Sequence, residues 1–357
     1  MGLWYFNGIN TAGESERFIR EAAFLTKGEP FTSSAFYMYI VQILLISVAE
    51  TTGAGYTMVI ILQMLLNAFA LHRLYKFVLN RRKSRKIAFF AGILLIACIP
   101  YQLYNTFLYT ESIFFSLLVI YTTFLLQMKR WNSRNSLMVV LWLTALCLVR
   151  PTGLFIAFGT LIYLSMHLRS LPRIIKYPAL LLGTATIVFL IHLLLQTGGG
   201  IDPLTPFIYE HVICDVPRNV GGTDLSLNEE SSGVGAVLNY LVNNPEHFAK
   251  LAVRKTVAFF GLFRPWYSSL HNAALMVYFF GLYIMIAVAV FRRGLTPAFA
   301  FTACITSVFW CFVIFSCDEW HNRFFLTLTP LLIICASAAL GKKDSNRQKH
   351  SIVEDGN

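Results

Sequence analysis

The stretch AALMVYFFGLYIMIAVAVFRR, residues 273–293, decides the fold class. Its first nineteen positions carry no charge, and Arg292-Arg293 close it. A bilayer core is crossed by about 20 mostly apolar residues in a helix. Basic residues collect at the cytoplasmic ends of such spans. The pair of signals together predicts a transmembrane helix whose last residues lie at the cytoplasmic surface.

The same pattern repeats outward in both directions. Apolar runs predict spans near 55–79, 87–103, 112–128, 136–149, 152–168, 178–196, 273–291, 297–316 and 324–340. Basic clusters sit between them: Arg81-Arg82-Lys83-Ser84-Arg85-Lys86, Lys129-Arg130, Arg169 to Lys176, Arg292-Arg293, and Lys342-Lys343 with Arg347 and Lys349. Placing all five clusters inside makes the spans alternate without conflict, leaving 104–111, Arg150-Pro151, 197–272 and 317–323 outside. The spans 136–149 and 152–168 meet at Pro151, as a tight hairpin or a more irregular pair. The composition agrees: 56% of the 357 residues are hydrophobic and 13% charged, with a mean hydropathy of +0.61. The expected fold is an all-α polytopic membrane protein. The net charge of +11 would suggest nucleic acid on a soluble chain, but here the loop arginines and lysines act as membrane anchors, so no nucleic-acid partner is expected.

Five parts follow. Residues 1–54 form an external acidic loop with an interfacial helix, 55–196 a transmembrane bundle of about six spans, 197–272 an external loop, 273–340 a second bundle of about three spans, and 341–357 a cytoplasmic disordered tail. The segment AFYMYIVQILLISVAE, residues 35–50, is short for a span and starts with aromatic residues. It is read as lying along the outer surface; as a span instead, it would put residues 1–34, with Glu14 and Glu16, on the cytoplasmic side. In the external loop, 234–263 reads as one or two amphipathic helices, with Lys250 and Arg254 on one face and Phe248, Leu251 and Ala252 beside them. Such a helix rests on anionic headgroups or binds a phosphate. Of seven cysteines, only Cys214 and Cys317 are external. A disulfide and two free thiols both fit. The absence of Asn-x-Ser/Thr acceptors and the compact loops point to a bacterial inner membrane rather than the endoplasmic reticulum.

This topology gathers Glu14, Glu16, Glu111, Arg150, Asp318, Glu319 and Arg323 on the outer side. Ionisable groups near membrane helix ends are costly to desolvate, so their convergence marks a functional site. Glu111 before a span also suits a helix N-terminus. Arg150 suits a helix C-terminus, or a planar fork for phosphate or carboxylate, with Glu111 as its partner. None of the eight histidines forms a zinc-type pair.

Several strings resemble the GT-C superfamily of membrane glycosyltransferases. Gly13-Glu14-Ser15-Glu16-Arg17-Phe18-Ile19, with Gly28-Glu29-Pro30-Phe31, is similar to that superfamily's first external loop. Tyr109-Thr110-Glu111-Ser112 and Arg150-Pro151-Thr152-Gly153 resemble strings of the branch containing GPI mannosyltransferase 2 and bacterial dolichyl-phosphate-mannose mannosyltransferase-like proteins. Asn244-Pro245-Glu246-His247-Phe248 through Arg264-Pro265 resembles a juxtamembrane stretch. Asp318-Glu319 with Asn322-Arg323-Phe324-Phe325 and Thr329-Pro330 resembles the start of the last helix. Two departures stand out. The family's acidic loop follows a first transmembrane helix, whereas here only Gly2 to Ile9 precede it. The usual Asp is Glu14, which moves the carboxylate by about an angstrom.

The resemblance implies a GT-C-like bundle of about nine or more helices with external juxtamembrane helices. It implies hexosyl transfer, with inversion, from a polyprenyl-phosphate-linked sugar to a lipid-linked or surface glycan or glycolipid acceptor, in contact with membrane lipid. Glu14 would be the base, with Glu16 in reserve. Arg323 would hold the lipid phosphate, oriented by Asp318 and Glu319, with Arg264, Arg254 and Lys255 as secondary substrate-binding candidates. Glu111, in binding sugar or positioning a cation, and Arg150 are further substrate-binding candidates, favoured as a pair that supports the site. A divalent cation on Glu14 is compatible with this reading and is not required by it. Two alternatives stay open: a transporter or flippase for a lipid-linked glycan, whose charges would lie near the midplane, and a non-catalytic scaffold subunit of a polysaccharide complex.

Overall fold

A computed structural model describes residues 8–128, 131–167, 203–226 and 233–341, with Leu181, Gly183 and Ala185. Apart from those last three residues, the expected span 178–196 lies outside the described residues, as do the basic clusters at Lys129-Arg130 and 169–176 and the tail beyond Gly341. The described residues form fifteen α-helices and no strand.

Four of these helical segments are long and apolar enough to cross a membrane: Ser34–Thr51, which opens as a 3-10 turn and continues as α2 (Ile40–Thr51), α3 (Gly55–Arg82), α12 (Ser269–Arg293) and α13 (Pro297–Phe315). A fifth joins α4 (Arg85–Ala97) to α5 (Ile99–Leu103) and the turn after it, bent by 66°. Residues 87–103 were expected as one span. Pro100, in the first turn of α5, cannot donate to the preceding turn, so the helix breaks at Cys98. Shorter apolar helices complete the bundle: α6 (Glu111–Gln127), α7 (Ser133–Val149) and α8 (Gly153–His167). The expected span 324–340 is also divided, into α14 (Arg323–Leu326), α15 (Thr329–Ala336) and a 3-10 turn, with Pro330 opening α15.

Residues 324–339 are buried throughout. A helix that is apolar all round belongs in a core, and α15 is wrapped by α4, α6, α12 and α13. The outer helices instead leave large apolar side chains uncovered, among them Phe69, Phe89, Val277, Ile284 and Phe291, as a lipid-facing surface requires. Residues 150–153 make a tight hairpin between α7 and α8. The Gly153 amide donates to the Arg150 carbonyl at 2.8 Å, and a Cβ at Gly153 would stand 2.5 Å from the Leu146 carbonyl carbon.

The bundle has two distinct ends. Gln63 of α3 donates to the Tyr109 carbonyl, just before α6, and Arg81 donates to the Leu126 carbonyl near the end of α6. The two helices therefore run parallel over about 25 Å, the length of α6. Arg81, Arg82, Arg292 and Arg293 meet at one end, and Glu111 marks the other. The first half of α3 projects beyond Glu111. It pairs with α2 antiparallel, Tyr56 bonding Glu50 and Gln63 approaching Gln42. Ser34–Thr51 therefore starts beside Glu111 and runs away from Arg81-Arg82, packing on α1 (Glu14–Lys27) through Phe18, Ala22, Ile43 and Ile46.

The expected amphipathic region forms α10 (Gly233–Asn243) and α11 (Pro245–Gly261). With α9 (Thr205–Ile208) they cap the Glu111 end around Phe207, Tyr240 and Leu251. Cys214 and Cys317 are joined as a disulfide. Beside it Cys214 and Asp318 exchange main-chain contacts, the Cys214 amide donating to the Asp318 carbonyl at 2.8 Å and the Asp318 amide to the Val212 carbonyl at 2.9 Å. This seam fixes the linker that leads into α14.

Candidate active site

Gly13 opens α1 at φ 67°, and a Cβ there would lie 2.7 Å from the Tyr109 hydroxyl. Only glycine supplies both the left-handed backbone and the space. Tyr109 in turn takes the Glu14 amide at 3.3 Å and donates to the Ala12 carbonyl at 3.4 Å. Glu14 is thereby delivered, at the first turn of α1, onto residues distant in sequence.

Arg323, at the start of α14, is the hub. Its Nη1 donates to Glu14 Oε2 at 2.7 Å and to Glu111 Oε1 at 3.0 Å, and its Nη2 donates to Glu319 Oε2 at 2.7 Å. Arg150 Nη1 donates to the same Oε1 of Glu111. Three carboxylates thus face two guanidiniums, and the cluster carries one negative charge over. The Glu111 side chain is fully buried, those of Arg150 and Arg323 are 10% exposed, and Glu14 is 33% exposed. Glu111 Oε2 and Arg323 Nε are buried with no hydrogen-bond partner. Burial pushes the Glu14 carboxyl up, but the Arg323 hydrogen bond and the charges of Arg323, Arg150 and Arg17 outweigh it, holding the group below its ordinary value.

A groove of about 620 Å³ lies near this cluster, lined by Tyr109, which takes the Glu14 amide, and by His321, two residues before Arg323. The α4–α5 break opens it: Cys98, Ile99 and Pro100 form one wall, Leu270, His271 and Tyr278 of α12 the other. Its lining is mainly apolar, and Ile99 and Leu270 at its rim are 60% and 80% exposed. Tyr267 stacks on His271 and bonds His321 Nδ1 at 3.3 Å. Burial and the nearby Arg323 charge lower the His321 pKa.

Of the expected residues, Glu14, Glu111, Arg150, Glu319 and Arg323 come together. Glu16 is exposed and stands apart. Asp318 does not orient Arg323. It is buried against Arg264 Nη2, whose guanidinium also bonds the carbonyls of Glu319 and Trp320. Arg264 therefore shapes the linker from behind the cluster. Arg254 pairs with Glu210 at 2.9 Å in the cap. Lys255 is fully buried, donating to the Ile314 and Ser316 carbonyls at the end of α13 over the Phe207 ring. Burial lowers its pKa to about 7. Sequence reading gave no role to Tyr109 or Tyr267 and did not locate the groove. The one available signal was Pro100 inside an apolar run. It also missed a cap triad in which Tyr240 bonds His247 Nδ1 at 2.7 Å and His247 Nε2 approaches Glu210 at 3.3 Å. Among the described residues no cluster of His, Cys, Asp or Glu forms a metal site. No protein-family model, curated protein or solved structure matches the chain.

Proposed function

We propose that the chain is an integral membrane glycosyltransferase of GT-C type, moving a hexose from a polyprenyl-phosphate donor to a lipid-linked or surface acceptor outside the cytoplasm. One observation carries this reading: a mainly apolar groove is lined by Tyr109, which takes the Glu14 amide, and by His321, two residues before the Arg323 that hydrogen-bonds Glu14. An isoprenoid tail fits the groove, and its phosphate would reach Arg323. The Cys214–Cys317 disulfide on the same end supports an oxidising compartment there, and the arginine-rich opposite end supports a cytoplasmic orientation for that face.

The donor phosphate takes the place of Glu14 on Arg323, with the buried Nε as a further donor. Glu14, released and partly exposed, accepts the proton of the acceptor hydroxyl. The acceptor oxygen bonds the anomeric carbon from the face opposite the phosphate as the carbon–oxygen bond to phosphate breaks. The electron pair leaves on the polyprenyl phosphate, where Arg323 stabilises the charge. Glu111 and Arg150 hold Arg323 in place, so their role is positioning.

Lipid-linked sugars in membranes with the wild-type protein, with Glu14→Gln, and without the protein test the reading by mass spectrometry. Equal accumulation of a polyprenyl-phosphate sugar in the variant and the deletion, at normal protein level, is the expected result. If the deletion alters the glycan and Glu14→Gln behaves as wild type, Glu14 is not the base, and transport or scaffolding explains the phenotype better.

A further inference from the structure

The end of the bundle opposite the glutamates holds a second cavity, of about 480 Å³. Arg81 and Arg82 close α3 on one side of it, and Arg292 and Arg293 close α12 on the other. Its inner wall is apolar, with Phe77 and Leu126 among the lining residues. At its rim Phe291 is 94% exposed on the flank of α12.

Three of these arginines donate to main-chain carbonyls. Arg81 donates to the Leu126 carbonyl, Arg292 to the Ala339 carbonyl at 3.3 Å, and Arg293 to the carbonyls of Ala338, Leu340 and Gly341. Carbonyls fix a guanidinium without cancelling its charge. Among the described residues neither Arg81 nor Arg292 forms an ion pair with a carboxylate. The cavity therefore joins fixed positive charge to an apolar wall, at the depth where helices leave the bilayer. A basic pocket between membrane helices is suited to a lipid headgroup, and the planar guanidinium fork matches phosphate oxygens.

We propose that this cavity binds the phosphate of an anionic phospholipid, with the acyl chains leaving past Phe291. The shared chemistry is a phosphate anion. The apolar wall and the flank opening select the lipid-borne form over free phosphate. This site is separate from the Glu14 groove and does not depend on the activity assigned there.

The test uses the purified full chain in nanodiscs holding equimolar phosphatidylglycerol and phosphatidylcholine, then native mass spectrometry of retained lipid. Wild type is expected to keep one phosphatidylglycerol in preference to phosphatidylcholine. Each cation beside an anionic headgroup contributes about fivefold, so Arg81→Gln with Arg292→Gln is expected to lower retention about 25-fold. Arg85→Gln with Lys86→Gln removes the same charge outside the cavity and is expected to leave retention unchanged. Arg81→Lys with Arg292→Lys keeps the charge and serves where the glutamine pair does not fold. It is expected to lose several-fold, because an ammonium lacks the planar fork. Equal loss in the Arg85/Lys86 control, or equal retention of the two lipids, overturns the proposal. So does inorganic phosphate that raises the melting temperature of lipid-stripped protein as far as phosphatidylglycerol does, since the ligand is then the free ion.

Discussion

The two ends of α6 keep opposite electrostatic company. At its first residue Glu111 is buried and shared by Arg150 and Arg323. In its last turn the Leu126 carbonyl accepts from Arg81, whose charge stays uncompensated by carboxylate among the described residues. Both ends use arginine, yet the physics differs. Where carboxylates neutralise it, arginine is locked by direction and distance, and the group it presents is a geometry. Where carbonyls hold it, arginine keeps its field, and the group it presents is a charge. The first arrangement suits a reaction that needs one proton acceptor in one place. The second suits recognition of an anion.

That contrast can be broken most forcefully at Glu111. Removing one partner of a buried ion pair leaves the others uncompensated, at a cost of about 3–5 kcal/mol. Glu111→Gln is therefore expected to lower the melting temperature sharply and to abolish the proposed transfer. An unchanged melting temperature would mean the cluster is solvated rather than locked. Glu14→Gln should separate chemistry from stability. A general base contributes about 100-fold or more, so transfer should fall by at least that factor while the fold survives. Because the carboxyl is held below its ordinary value in the free protein, it stays ionised through neutral pH, and kcat/KM of the proposed transfer should fade only as pH drops through that lowered pKa.

Lys255 offers a third probe, in the cap. Its folded pKa of about 7 lies below the ordinary 10.5, so the unfolded chain holds the extra proton between those values. The cap then gains stability as pH rises from about 7, by at most about 1.4 kcal/mol per unit, and gains nothing below that. Lys255→Met should flatten the alkaline rise in melting temperature. A slope that persists in the variant assigns it to another group. The smallest effect is expected at the basic end. Arg81→Gln with Arg292→Gln should change stability by no more than about 0.5 kcal/mol per site, measured as the melting temperature in detergent. A loss as large as that of Glu111→Gln would erase the distinction between the two ends.

Much of this was legible beforehand. Apolar runs located the helices because a lipid-facing segment must be apolar along its length, and Glu14, Glu111, Arg150 and Arg323 could be grouped because loop charges fixed which ends share a side. The breaks were harder to read. Pro100 and Pro330 lie in unbroken apolar text, and periodicity alone does not say that α5 turns 66° away or that α15 is enclosed. The secondary candidates failed to join the cluster for a related reason. Arg254, Lys255 and Arg264 look alike in sequence as external cations, and only their partners, Glu210, the α13 carbonyls and Asp318, tell them apart.

By itself, then, the sequence determined the helical class, the apolar composition of the outer helices and which described charges gather at each end of the bundle, since these follow from hydration energies summed along the chain. The tertiary structure alone decided that Glu14 and Arg323, 309 positions apart, share a hydrogen bond, that Cys214 reaches Cys317, and that a groove opens at a broken helix beside Tyr109 and His321. Those features depend on packing between distant segments, and packing is set by shape and pairing that no local pattern of hydrophobicity encodes.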